Sequence, residues 1–234
     1  MSRVSMRIPP MADPSRSMHR YRFVVFDWDG TLADSTAIIA SALQHACRDV
    51  GEPEPTEADA RFVIGLGLAD ALRHVAPRLA AERHRELAVR YRHHYFAQAP
   101  SIPLFAGVRE MLAEMNDAGH LLGVATGKSR AGLDHALDQQ DLRHFFVATR
   151  CADEGFPKPH PGMLLELMSL VGADPAETLM IGDTTHDLEL ARNAGVAALA
   201  VAYGAHDLKG LARERPLATL NSIPELRAWL RQHA

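Results

Sequence analysis

The chain is poor in cysteine. Cys47 and Cys151 are the only two in 234 residues, and neither belongs to a metal-binding or redox pair. Both are expected to be small, reduced, partly buried side chains, which suits a cytosolic protein. No His/Cys cluster has the spacing of a zinc site. Long apolar runs are also missing, and none reaches the roughly 18 residues that suggest a membrane span. There is no basic excess. Lys and Arg total 25 against 29 Asp and Glu, giving a net charge of -4 and a pI near 6.3. That balance argues against a nucleic-acid partner, which usually meets a basic face. Residues 1–20 lack the apolar stretch of a secretory signal and carry Arg3, Arg7, Arg16, Arg20 and three prolines. They are expected to form a disordered tail, with Met6, Met11 and Met18 as further possible starts.

What remains is an ordinary globular composition, 47% apolar, sufficient for one large domain or a domain with an insert. Arg22–Phe26 reads as a strand. Asp34 or Ser35 is placed to cap a helix running to about Val50, with Ile38, Ile39, Ala42, Leu43 and Ala46 as its apolar stripe. From Thr56 to Ala99 the signals are helical only, broken at Gly65-Leu66-Gly67, with a long charged helix over about Ala80–Gln98. After Pro103 the pattern alternates. Helices are expected at 107–118, 129–139, 162–171, 187–194 and 224–232, and strands at 121–125, 145–148, 178–181 and 197–202. Such alternation implies a parallel sheet with helices on both faces, ligands binding outside the carboxyl edge of the strands. The expected fold is therefore α/β. A Rossmann-like core (21–33 and 104–234) is interrupted after its first strand by an all-helical cap (34–103).

That edge gathers polar residues distant in sequence. The first strand ends in Asp27-Trp28-Asp29-Gly30-Thr31, two carboxylates on one side of a strand end. Later elements bring Thr126-Gly127, Lys158 on a Pro-flanked loop, and Gly182-Asp183-Thr184-Thr185-His186-Asp187. Three acids from two strand ends suit a hard divalent cation such as Mg2+, which takes carboxylates together with substrate phosphate. A lysine and a threonine hydroxyl suit phosphate oxygens, and turn amides near Gly30 and Gly127 add donors. With cations neutralising the charge, a carboxylate can attack phosphorus. Spacing alone does not say which acid attacks.

As an ordered set spanning about residues 22–204, these four motifs resemble those of the haloacid dehalogenase superfamily. The helical insert is similar to the cap of its phosphoglycolate phosphatase-like branch. The resemblance implies Asp27 as nucleophile and Asp29 as general acid/base. Thr126, Gly127 and Lys158 would then hold the phosphoryl group. Mg2+ would be ligated by Asp27, Asp183 and the backbone carbonyl of Asp29, with Asp187 assisting behind them. It further implies a cytoplasmic phosphatase for a small phosphorylated metabolite, with 2-phosphoglycolate the best match. The competing activities are a sugar phosphomutase resembling beta-phosphoglucomutase and, in a different class, a non-enzymatic aspartyl-phosphate receiver module. Oligomeric state is not readable. No lysine lies between residues 30 and 127, which disfavours the Schiff-base phosphonate hydrolases of this superfamily. Asp29 disfavours a dehalogenase.

Several residues carry weaker signals. Asp187 is also placed to cap the next helix. Lys128 either tunes the site or faces water. His160, His186 and the pair His93-His94 are expected to be solvated. Arg61 and Arg73, flanking Gly65-Leu66-Gly67, are candidates for a substrate carboxylate, although solvated arginines are the commoner case.

Overall fold

A computed structural model describes residues 20–234. The expected tail and alternative starts lie almost wholly outside the described residues. β1 (Phe23–Phe26) is followed by four helices, α1 (Thr36–Asp49), α2 (Glu57–Phe62), α3 (Leu68–Val75) and α4 (His84–Gln98). Alternation then begins with α5 (Val108–Ala118), β2 (Leu121–Thr126), α6 (Arg130–Gln139) and β3 (Ala148–Cys151). It continues through α7 (Gly162–Val171), β4 (Thr178–Gly182), α8 (Thr185–Asn193) and β5 (Ala197–Val201). The chain closes with α9 (Leu208–Arg213), β6 (Thr219–Leu220) and α10 (Ile223–His233).

The strands form one six-stranded sheet in the order β3-β2-β1-β4-β5-β6, and every pairing is parallel. β1 is central, and all four of its residues are fully buried. Val24 and Phe26 join one apolar cluster with Met111, Leu112 and Leu226. Phe23 and Val25 join another with Leu164, Leu167 and Leu190. Two buried faces explain an uninterrupted apolar run where a one-sided strand would alternate. The four-helix insert has its own core, in which Leu43, Ala46, Cys47, Leu72 and Leu87 pack together. α1 and α4 supply most of that contact, although α4 is charged around most of its circumference and buries only Leu87. Both cysteines are buried thiols.

The expected strand over 145–148 is displaced. Phe145 lies in a short 3-10 turn, Arg143–Phe145, from which its ring reaches the core. β3 starts at Ala148 and is an edge strand. Edge position explains its polar residues, since Arg150 reaches out to Glu166 at 2.7 Å. The charged helix likewise begins later than expected, with 81–83 forming a 3-10 turn before α4. α9 and β6, only six and two residues long, are too short to set up a pattern in the sequence.

Candidate active site

Parallel pairing aligns the carboxyl ends of β1, β2 and β4, so Asp27, Thr126 and Asp183 emerge at one edge. Asp27, Asp183, Thr126 and Lys158 are all buried, as is Asp187. Lys158 comes from the loop before α7 and its Nζ lies 2.7 Å from Asp27 Oδ1 and 2.6 Å from Asp187 Oδ1. Burial works against this ammonium, but Asp187 and Asp27 outweigh it and raise its pKa. Asp187 holds the lysine through Oδ1 while Oδ2 accepts from the Thr184 amide at 3.1 Å and hydroxyl at 2.7 Å. Thr184 and Asp187 form a reciprocal capping box at the start of α8. Asp187 thus caps α8 through one oxygen and holds Lys158 through the other.

Asp183 accepts from the Thr31 hydroxyl at 2.8 Å and the Ala205 amide at 2.7 Å. Gly30 and Gly204 press against this carboxylate so closely that a Cβ on either would collide with it. Gly30 also holds a φ of +82°, a conformation that L side chains rarely adopt. Thr31 belonged to the first motif without a role; its hydroxyl orients Asp183.

Asp29 faces another direction. Its Oδ1 accepts from the Ser35 hydroxyl at 2.7 Å and lies 3.0 Å from Lys128 Nζ. Ser35 occupies the N-cap position of α1, but its side chain makes no capping bond there. The expected cap is therefore a partner of Asp29. Lys128 is also 2.7 Å from the Tyr95 hydroxyl of α4, which ties the insert to Asp29 through one side chain. Burial opposes the Lys128 charge, and Asp29 and Tyr95 more than offset it, raising its pKa. Of the two readings of Lys128, the structure favours the one in which it belongs to the site. Tyr95 gave no signal in the sequence, because nothing in α4 marks a residue whose partner lies 33 positions away.

His186 is not the solvated loop histidine expected. It is buried in the first turn of α8, with Nε2 2.8 Å from the Phe62 carbonyl oxygen. His206 Nε2 reaches the same oxygen at 3.0 Å. The insert covers α8 here, a contact no local pattern reveals. His94 likewise pairs with Asp49 at 2.8 Å, while His160 remains exposed. Arg61 bonds Glu57 at 3.0 Å, and Arg73 pairs with Asp70.

The donor set fits a divalent cation. Carboxylate oxygens of Asp27, Asp183 and Asp187 lie within 4.8 Å of one another. Asp27 Oδ2 is buried without a hydrogen-bond partner. Burial and the neighbouring acids push the Asp27 carboxyl up to about 7 despite Lys158. Burial, then the charges of Asp27 and Asp187, also hold Asp183 well above the usual carboxylate range. Crowded, desolvated anions with one unfilled lone-pair site are what an oxygen-seeking cation satisfies.

A cavity of about 480 Å³ opens beside Asp29 and Lys128. It lies between the insert and the sheet edge, lined on one side by Leu43, Ile64 and Tyr91 and on the other by Gly127, Ser129 and Pro157. At its base a Cβ on Gly127 would lie 2.5 Å from the Leu66 carbonyl oxygen and 2.7 Å from that of Gly65.

These features agree with comparisons to known proteins. The family model described as "Haloacid dehalogenase-like hydrolase" matches residues 24–201. "Probable phosphatase IndB" of Dickeya dadantii is 38% identical over 209 residues, covering 87% of this chain and 90% of that protein. A "Phosphoglycolate phosphatase" of Vibrio vulnificus is 31% identical over 225 residues, covering 88% and 94%. The crystal structure of a hydrolase from Pseudomonas syringae superposes with a TM-score of 0.83 at 22% identity, over 91% of this chain and 99% of that one. With most of its length matched by the family and by relatives named as phosphatases, the chain belongs to the haloacid dehalogenase-like hydrolases.

Proposed function

We propose that the protein is a Mg2+-dependent phosphatase that cleaves a small phosphorylated metabolite through an aspartyl-phosphate on Asp27. The observation that carries this reading is the buried Lys158 bridging Asp27 and Asp187 beside an acid cluster whose Asp27 Oδ2 has no partner. Asp27, Asp183 and the Asp29 carbonyl would hold the cation, with Asp187 beside them. A bound Mg2+ would offset the negative charge of the phosphoryl oxygens and of the carboxylates. Asp27 attacks phosphorus as the bond to the leaving oxygen breaks. Asp29 gives that oxygen a proton, then takes one from the water that releases phosphate from Asp27. Lys158, Thr126 and the Gly127 amide hold phosphoryl oxygens. Residues 34–103 act as a cap over a core of 21–33 and 104–234, excluding bulk water during the two steps.

No helix among the described residues is long and apolar enough to cross a membrane. 2-Phosphoglycolate is the substrate suggested by the family resemblance and by relatives' names. The test is release of phosphate from p-nitrophenyl phosphate. Activity should require Mg2+, and Asp27→Asn should lower kcat by about 10^4-fold or more while the fold is retained. Full activity in Asp27→Asn would remove the nucleophile from this scheme.

A further inference from the structure

The cavity between the insert and the sheet edge is lined by Asp29, the acid that protonates the leaving oxygen in this scheme. Its walls therefore contact the alcohol half of the substrate. They are mainly apolar: Leu43, Ile64, Leu66 and Phe96, with the stacked rings of Tyr91 and Tyr95, whose centroids are 5.8 Å apart. A volume of about 480 Å³ lies in the range that accommodates whole drug-sized ligands. A two-carbon acid would leave most of it unfilled.

Charge points the same way. Lys128 is balanced by Asp29 and bonded to Tyr95. Both acids besides Asp29 are engaged, Asp70 by Arg73 and Asp153 by the Arg130 amide at 2.8 Å. Arg61 and Arg73, the arginines that sequence offered for a substrate carboxylate, are absent from the lining. Arg92 is the remaining cation on the wall, and it is exposed to solvent. A second anionic group on the substrate would enter an apolar chamber with its nearest cation already neutralised, a costly burial.

Resting on the phosphatase reading above, we propose that the substrate is the phosphomonoester of an uncharged, largely apolar alcohol. Its aromatic or branched aliphatic body sits between Leu66 and the Tyr91/Tyr95 pair. The reaction consumes the ester and water and yields the free alcohol and inorganic phosphate.

The test compares kcat/KM, with Mg2+, for benzyl phosphate, 3-methylbutyl phosphate, ethyl phosphate and 2-phosphoglycolate. All four leave as alkyl alcohols, so the comparison reads the pocket more than leaving-group chemistry. Benzyl phosphate should exceed ethyl phosphate by about 100-fold, with 2-phosphoglycolate no better than ethyl phosphate. Leu66→Arg should reverse the order of benzyl phosphate and 2-phosphoglycolate. Benzylphosphonate, which is not hydrolysed, should bind by calorimetry with a negative heat-capacity change, and phosphonoacetate should not. A preference for 2-phosphoglycolate that disappears in Arg92→Gln would overturn this inference and leave the phosphatase standing, as would equal turnover of all four esters. No phosphate release from any ester would instead refute the phosphatase reading on which it rests.

Discussion

Replacing Lys158 with methionine tests the centre of the site without involving turnover. The lysine side chain has no exposed surface, and its Nζ lies 2.7 Å from Asp27 and 2.6 Å from Asp187. At an effective dielectric of about 20, each pair is worth about 6 kcal/mol of gross attraction. Desolvating the ammonium cancels much of this, so the pairs add far less than their sum to stability. Removing one member of a buried set is different, because methionine fills the space of the stem and leaves two buried carboxylates uncompensated. That loss costs about 3–5 kcal/mol. In urea, with an m-value of about 3 kcal/mol/M for a chain of this size, the unfolding midpoint should fall by about 1 M or more. The measurement is made in chelator, so that no cation replaces the lost charge. Asp187→Asn should be much less harmful in the Lys158→Met background than alone, with a coupling of about 2 kcal/mol. A midpoint within about 0.2 M of wild type, or a coupling inside the ~0.5 kcal/mol of ordinary additivity, would refute the claim that this lysine holds the acid cluster together.

Asp27 has a folded pKa raised from 3.8 to about 7, so the folded state binds a proton more tightly than the unfolded chain. Its contribution is fully present below about pH 4 and is lost as pH rises through 7; chelator-treated protein should show that decline, after allowance for other groups, in urea midpoints at a series of pH values. Mg2+ at about 100 times its Kd should restore about 2.7 kcal/mol at neutral pH, read as a thermal shift of about 5–10 °C that vanishes in Asp183→Asn. Gly30→Ala combines a φ of +82° with a collision against Asp183; it should cost about 2 kcal/mol or more and abolish the Mg2+ shift, and a wild-type response in calorimetry would show the contact to be soft. Lys128→Met should lower kcat at least about tenfold and alter its pH profile while leaving Mg2+ binding unchanged; an unchanged profile would reduce Lys128 to packing.

The sheet and the site were legible to different degrees, for physical reasons. Phe23-Val24-Val25-Phe26 announced a central strand because both of its faces are buried, and the acids that follow could not belong to a core. Asp183 and Lys158 stood out in short motifs, but their partners, Thr31 and Ala205 for one and Asp27 and Asp187 for the other, come from distant segments that only the sheet brings together. β3 was misplaced because Phe145 buries its ring from a turn, so an apolar cluster and a strand did not coincide. Ser35 looked like a helix cap and instead serves Asp29; a hydroxyl can accept from a helix amide or donate to a carboxylate, and sequence does not say which it does. His186, Lys128 and Tyr95 acquire their partners only when the helical insert meets the sheet edge. Contacts between segments far apart in sequence leave no periodicity in either segment.

Gly127 was expected to serve phosphate through its amide. The carbonyl oxygens of Leu66 and Gly65 stand 2.5 and 2.7 Å from where its Cβ would be, so the insert's backbone also limits that position to a residue with no side chain. A single methyl there would act as a doorstop, propping the insert away from the sheet edge without touching any reacting group. Its size would set the width of the opening, and a series of small residues at 127 would form a graded aperture. Water leakage and product escape would follow the width of that opening, set at the same residue whose amide serves the phosphoryl group.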